Sequence, residues 1–123
     1  LKACILLVDD DASVRRSLAR LLRAHDYDVV EADDATMALQ ILANVRPAVV
    51  MMDMVMPGED PLSAARKIKR EPRTAAVPII ALTASPPNGP DCVLFADVLP
   101  KPSDAEALLA AIERAIARVL PNS

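Results

Sequence analysis

VVMMDMVMPGED, residues 49–60, joins an apolar run to a single aspartate and then to a Met-Pro-Gly turn. With the preceding alanine the run reads AVVMMD (48–53), follows Pro47, and shows no helical spacing. That is the pattern of a short strand buried on both faces. Asp53 therefore stands at the edge of a buried strand, where an isolated charge is costly unless something pairs with it. The partner has to come from the rest of the chain.

Working outward, apolar runs and helical periods alternate. CILLVDD (4–10) is a strand of the same buried kind, followed by a helix over Asp11 to His25 with Val14, Leu18, Leu21 and Leu22 as its apolar stripe. DVVEA (28–32) is the next strand, and Asp34 caps a helix carrying Met37, Ala38, Ile41 and Leu42. Asp60-Pro61, an N-cap followed by proline at the first helical position, opens a helix to about Arg70 with Leu62, Ala65 and Ile68 inward. VPIIALTA (77–84) is a fourth strand and VLP (98–100) the end of a short fifth. Ser103 and Glu106 form a Ser-x-x-Glu capping box before a final helix with Leu108, Leu109, Ile112, Ile116 and Val119. SPPNGPDC (85–92) breaks the rhythm: three prolines and an Asn-Gly pair forbid a regular helix. Only about residues 91–97 remain there, enough for one or two turns. Strands that are near-continuous apolar runs, alternating with helices, predict an α/β fold with a parallel sheet covered on both faces.

Composition limits the function classes. The 123 residues suit one domain, and 53% hydrophobic with 25% charged residues argues for a folded protein. Aromatics make up only 2%, so the core has to be aliphatic, with Met51, Met52, Met54 and Met56 as filler. No apolar stretch approaches the roughly 20 residues of a membrane span, and the start lacks the pattern of a signal peptide. A net charge of -3 with interspersed signs provides no basic stripe, which argues against direct nucleic-acid binding. Cys4 and Cys92 lie too far apart for a zinc site or a disulfide scaffold and read as small apolar residues in a reducing compartment. The chain opens on Leu1, not methionine, which suits a piece of something longer.

In an open parallel sheet, ligands bind beyond the carboxyl ends of the strands, near the point where strand order reverses. Those ends carry Asp9 and Asp10 after the first strand, Asp53 after the third, Thr83 after the fourth and Lys101 after the fifth. Nothing of this kind ends the second. Three converging carboxylates raise one another's pKa unless a cation sits among them. Mg²⁺ suits best, because it takes one or two carboxylates together with waters and a phosphate oxygen. A carboxylate so placed can act as a nucleophile toward phosphorus, forming an aspartyl phosphate. The ion and a lysine then stabilise the transferring phosphoryl oxygens.

The motifs ILLVDDD (5–11), VVMMDMVMPG (49–58), ALTA (81–84) and LPKP (99–102) together resemble the receiver domain of two-component response regulators. The resemblance covers essentially residues 1–123, as a single receiver domain. It implies a doubly wound, CheY-like (flavodoxin-like) sheet of order 2-1-3-4-5. It also implies metal ligation by Asp9, Asp10, Asp53 and the Val55 backbone carbonyl, with Asp53 as phosphoacceptor. Thr83 would be the switch hydroxyl, Lys101 the phosphate-contacting lysine, and Pro102 would follow a cis peptide bond. The expected role is a cytoplasmic, bacterial signalling module. It would be phosphorylated by a histidine kinase or histidine phosphotransfer protein and read by a downstream protein or attached output domain, with homodimerisation open. It assists its own phosphorylation and hydrolysis but is not a turnover enzyme.

Three features depart from the family pattern. The Thr83–Lys101 interval is about four residues short and holds the proline cluster, so the fourth helix is expected to be short or missing. Val98 stands where an aromatic is usual, three residues before the lysine. Pro61 replaces a frequent glycine and fits the helix start. Val98 and the short segment keep an alternative open: a degenerate receiver acting as a docking module without a phosphorylation switch. A Mg²⁺-dependent phosphohydrolase is disfavoured, because the usual second aspartate two residues after the nucleophile is Val55 here.

Overall fold

The computed structural model describes residues 2–85 and 89–119. Its strands are β1 (Cys4–Val8), β2 (Asp28–Ala32), β3 (Val49–Asp53), β4 (Ile79–Leu82) and β5 (Asp97–Leu99), all parallel in the order β2-β1-β3-β4-β5. The helices are α1 (Ala12–Ala24), α2 (Ala35–Leu42), α3 (Pro61–Arg70) and α4 (Ala105–Val119). A short 3-10 helix, Gly89–Leu94, takes the place of a helix between β4 and β5.

Alternation along each strand feeds two cores. Ile5, Leu7, Val49, Met51, Ile80 and Leu82 pack against α1 and α4, through Leu22, Leu108 and Ile112 among others. Leu6, Val8, Val50, Met52, Ile79 and Ala81 face the opposite way, onto α2 and α3. The central strands β1, β3 and β4 are therefore buried on both sides, which is why they read as near-continuous apolar runs. The edge strands β2 and β5 are only half-buried. Phe95, just past the 3-10 helix, joins the second core, and Tyr27 packs half-buried against the first, the two rings in an otherwise aliphatic interior.

The helices start where their caps direct. Asp11, Asp34 and Asp60 each accept a hydrogen bond from a backbone N–H in the first turn of α1, α2 and α3. The expected Ser103 capping box does not form. Asp104 caps α4 instead, its Oδ1 accepting from the Ala107 N–H at 2.8 Å. Ser103 turns back and donates to the Pro100 carbonyl. Val14, expected in the buried stripe of α1, is 42% exposed, because Ala19 and Leu22 occupy the face that meets the sheet. Cys92 is exposed rather than packed, and neither it nor Cys4 is in a disulfide. The side chain of Val119 lies outside the described residues.

The proline-rich interval holds the expected short helix, two residues earlier than the sequence spacing suggests. A 3-10 turn tolerates Pro90 near its start, where the missing N–H costs no hydrogen bond. Residues 86–88 of the proline cluster lie outside the described residues. The 3-10 helix buries none of its own residues, and the Arg66–Asp91 ion pair at 3.0 Å ties it to α3.

Candidate functional site

The register brings the polar residues to one rim. Val8 pairs with Met52, Asp53 with Leu82, and Leu82 with Leu99, so β1, β3, β4 and β5 end level with one another. From β1 the chain passes to β2 on one side, then crosses back to β3 on the other. The crevice between β1 and β3 is thus the point where strand order reverses. Asp9 and Asp53 flank it.

Asp9, Asp53 and Thr83 are nearly fully buried at 1%, 3% and 4% exposure, whereas Asp10 is exposed. The Lys101 ammonium reaches in from beyond β5 and donates to Asp53 Oδ2 at 2.6 Å and Asp9 Oδ2 at 3.1 Å. The second oxygen of each carboxylate is also held. Asp53 Oδ1 accepts from the Val55 N–H at 3.0 Å, and Asp9 Oδ1 from the Asp11 N–H at 2.9 Å. The charge at the edge of β3 thus has its partner. Burial by itself would lower the Lys101 pKa, but its hydrogen bonds to Asp53 and Asp9 outweigh that and hold it above the ordinary lysine value.

One ammonium does not balance three acids. Oxygens of Asp9, Asp10 and Asp53 lie within 4.8 Å of one another. Hard oxygen donors that close, with negative charge in excess, fit a divalent cation such as Mg²⁺. The cleft above them holds about 330 Å³ and is lined by Asp10, Asp53, Val55, Thr83, Ala84 and Lys101. Val55 is 74% exposed at its mouth. The Met-Pro-Gly turn that follows places Gly58 at φ +85°, where a side chain would be strained.

Thr83 lies in the cleft, but its hydroxyl is engaged within its own loop. It donates to the Ser85 carbonyl and accepts from the Ser85 N–H, both at 3.1 Å. The Lys101–Pro102 peptide is cis, as expected. Val98 is half-buried against the α2–α3 core. The structure thus gathers Asp9, Asp10, Asp53, Val55, Thr83 and Lys101 at one rim, with only the Thr83 hydroxyl turned elsewhere. Arg15 and Glu31 also bear on the site, through the Asp9 carbonyl, and no motif marks them. The signal available was an arginine one helical turn after the Asp11 cap, with an acid near the end of β2.

Residues 5–113 match the family model of the response regulator receiver domain. Response regulator MprA of Mycobacterium sp. (strain KMS) is 38% identical over 123 residues, covering 96% of this chain and 52% of MprA. The chain spans about half the length of the MprA relatives it matches. Protein PilH of Pseudomonas aeruginosa is 32% identical over 120 residues, covering 94% of this chain and 98% of PilH. Among solved structures, the receiver domain of sensor histidine kinase PA1611 from Pseudomonas aeruginosa superposes with a TM-score of 0.85 at 30% identity, over 95% of this chain and 99% of that one. It was solved with a magnesium ion coordinated in its active site cleft. Chemotaxis response regulator CheY4 of Vibrio cholerae has a TM-score of 0.84 at 26% identity, over 94% of this chain and 99% of that one.

Proposed function

The chain belongs to the response regulator receiver domain family, and we propose that residues 1–123 act as one phosphoacceptor unit of a two-component phosphorelay, with Asp53 as acceptor. The observation that carries this reading is the Lys101 ammonium bridging Asp53 and Asp9 beside the three-carboxylate cluster. The donor is a phosphohistidine on a histidine kinase or phosphotransfer protein. An Asp53 carboxylate oxygen attacks phosphorus, the P–O bond forms and the P–N bond breaks. The imidazole leaves with the electron pair and takes up a proton. Lys101, already hydrogen-bonded to Asp53, passes to a phosphoryl oxygen as charge moves there. Thr83 exchanges its bond to Ser85 for a second phosphoryl oxygen, which moves the loop after β4. Asp9, Asp10, Asp53 and the Val55 carbonyl would hold Mg²⁺, which when bound neutralises charge on the phosphoryl oxygens.

Next to the cleft, a groove of about 590 Å³ between α1 and α4 borders Asp9 and Lys101 and is lined by Val14, Leu18, Leu21 and Leu108. It offers a protein donor an apolar seat beside the acceptor. Hydrolysis by water returns the carboxylate and releases phosphate, so the module resets but does not turn over an external substrate. PhoB of Pseudomonas aeruginosa, a relative 35% identical over 80 residues, is named a transcriptional regulatory protein. Any nucleic-acid contact belongs, in this reading, to an output partner or domain. Among the described residues no helix is long and apolar enough to cross a membrane, and a cytoplasmic location is part of the proposal.

A second reading, a docking module without a switch, draws on Val98, half-buried against the α2–α3 core where an aromatic is usual. Acetyl phosphate with Mg²⁺ separates the two. Under the first reading, mass spectrometry is expected to find an added phosphoryl group on Asp53 and none in Asp53→Asn. Mg²⁺ binding with no label at all would favour the second.

A further inference from the structure

The exposed acid of the cluster, Asp10, follows a residue whose carbonyl is held by a largely buried arginine. Among the described residues, no hydrogen bond or ion pair holds the Asp10 carboxylate. Its direction therefore depends on the peptide joining it to Asp9. That peptide is planar, so fixing the Asp9 carbonyl fixes the path of the chain into Asp10. Arg15 does this: its Nη1 donates to the Asp9 carbonyl at 2.8 Å. Its Nε donates to Glu31 Oε1 at 3.1 Å, and the other Glu31 oxygen meets Arg23 at 3.5 Å. The Arg15 side chain is only 13% exposed. On the other side of Asp9, its N–H donates to the Ala32 carbonyl at 3.1 Å, so β2 and α1 grip the residue from both ends.

We propose that Arg15 is a positioning residue of the acidic cluster: anchored by Glu31, it sets the Asp9–Asp10 peptide so that the Asp10 carboxylate stays within reach of Asp9 and Asp53 for a divalent cation. The inference rests on the receiver reading given above. Two physical effects of removing Arg15 have opposite signs, which makes the role testable. Arg15 is a cation beside an anionic cluster, so Coulomb's law alone says that its loss tightens divalent-ion binding. A positioning role says that its loss weakens it.

The experiment is a calorimetric Mg²⁺ titration of the full chain, below the unfolding transition, for wild type, Arg15→Met and Arg15→Met/Glu31→Gln. The double variant leaves no half-buried carboxylate without its arginine and so protects the fold. Both variants are expected to raise the Mg²⁺ Kd roughly tenfold, the usual scale for groups that orient metal ligands. Arg15→Lys is expected to fall between, because an ammonium lacks the planar fork that serves carbonyl and carboxylate together. Unchanged or tighter Mg²⁺ binding in a folded variant overturns the proposal, even if its melting temperature falls. If the wild type binds no Mg²⁺, the receiver reading fails and this inference with it. If the wild type binds and the variants match it, only the inference fails.

Discussion

At the residue scale, the site's chemistry depends on what each charged atom touches. The strand-end aspartates, Thr83 and Lys101 were legible because a parallel sheet delivers strand ends to one rim whatever lies between them. Their hydrogen bonds were not. Nothing in ALTA says that the Thr83 hydroxyl turns to the Ser85 backbone, and nothing in DDDASVRR says which arginine reaches the Asp9 carbonyl. Lys101 carries a definite pH consequence. Its folded pKa lies above the unfolded value, so the stability from its two ion pairs is fully present below the ordinary lysine pKa of about 10.4. It is lost only as pH rises through the higher folded value. In metal-free protein, an NMR titration is expected to show the Lys101 ammonium losing its proton above the ordinary lysine value, with Lys101's share of stability flat from pH 7 to about 10. A Lys101 midpoint at or below the ordinary lysine value would contradict the pairing.

Elements were read well where a local signal had one interpretation. Asp60-Pro61 before an apolar helical period marks a helix start, and α3 runs from Pro61 to Arg70 as expected. The start of α4 was misread because two adjacent residues can both cap. Ser103 offered the better sequence motif, but its hydroxyl donates to the Pro100 carbonyl and leaves the first-turn N–H of Ala107 to Asp104. Asp104→Ala is therefore expected to cost about 1 kcal/mol in denaturant unfolding, and Ser103→Ala clearly less. The reverse order would restore the capping box. The 3-10 helix was anticipated as a short element, since prolines and glycine limit what the backbone can do there. Its placement depended on the Phe95 ring finding the α2–α3 core, a tertiary contact that the local spacing does not encode.

For the whole molecule, the sheet order was the part least visible in any one stretch. Apolar runs alternating with helical periods fix a parallel, doubly wound architecture, but 2-1-3-4-5 entered through resemblance and is met in the structure. That order matters because it puts β1 beside β3, and so Asp9 and Asp10 beside Asp53. An order that parted β1 from β3 would separate the acids and leave each an ordinary turn residue. The architecture and the cluster thus stand together, and a bound cation links them, since an ion that binds only the folded chain stabilises it by mass action. Mg²⁺ at ten times its Kd is expected to add about 1.4 kcal/mol to the unfolding free energy. The most direct measurement is a calorimetric Mg²⁺ titration at neutral pH on wild type, Asp10→Asn and Asp53→Asn. One ion is expected to bind per wild-type chain, and binding to be much weaker when either carboxylate is removed. No heat of binding in the wild type, or the same affinity in all three proteins, would contradict the shared cation site.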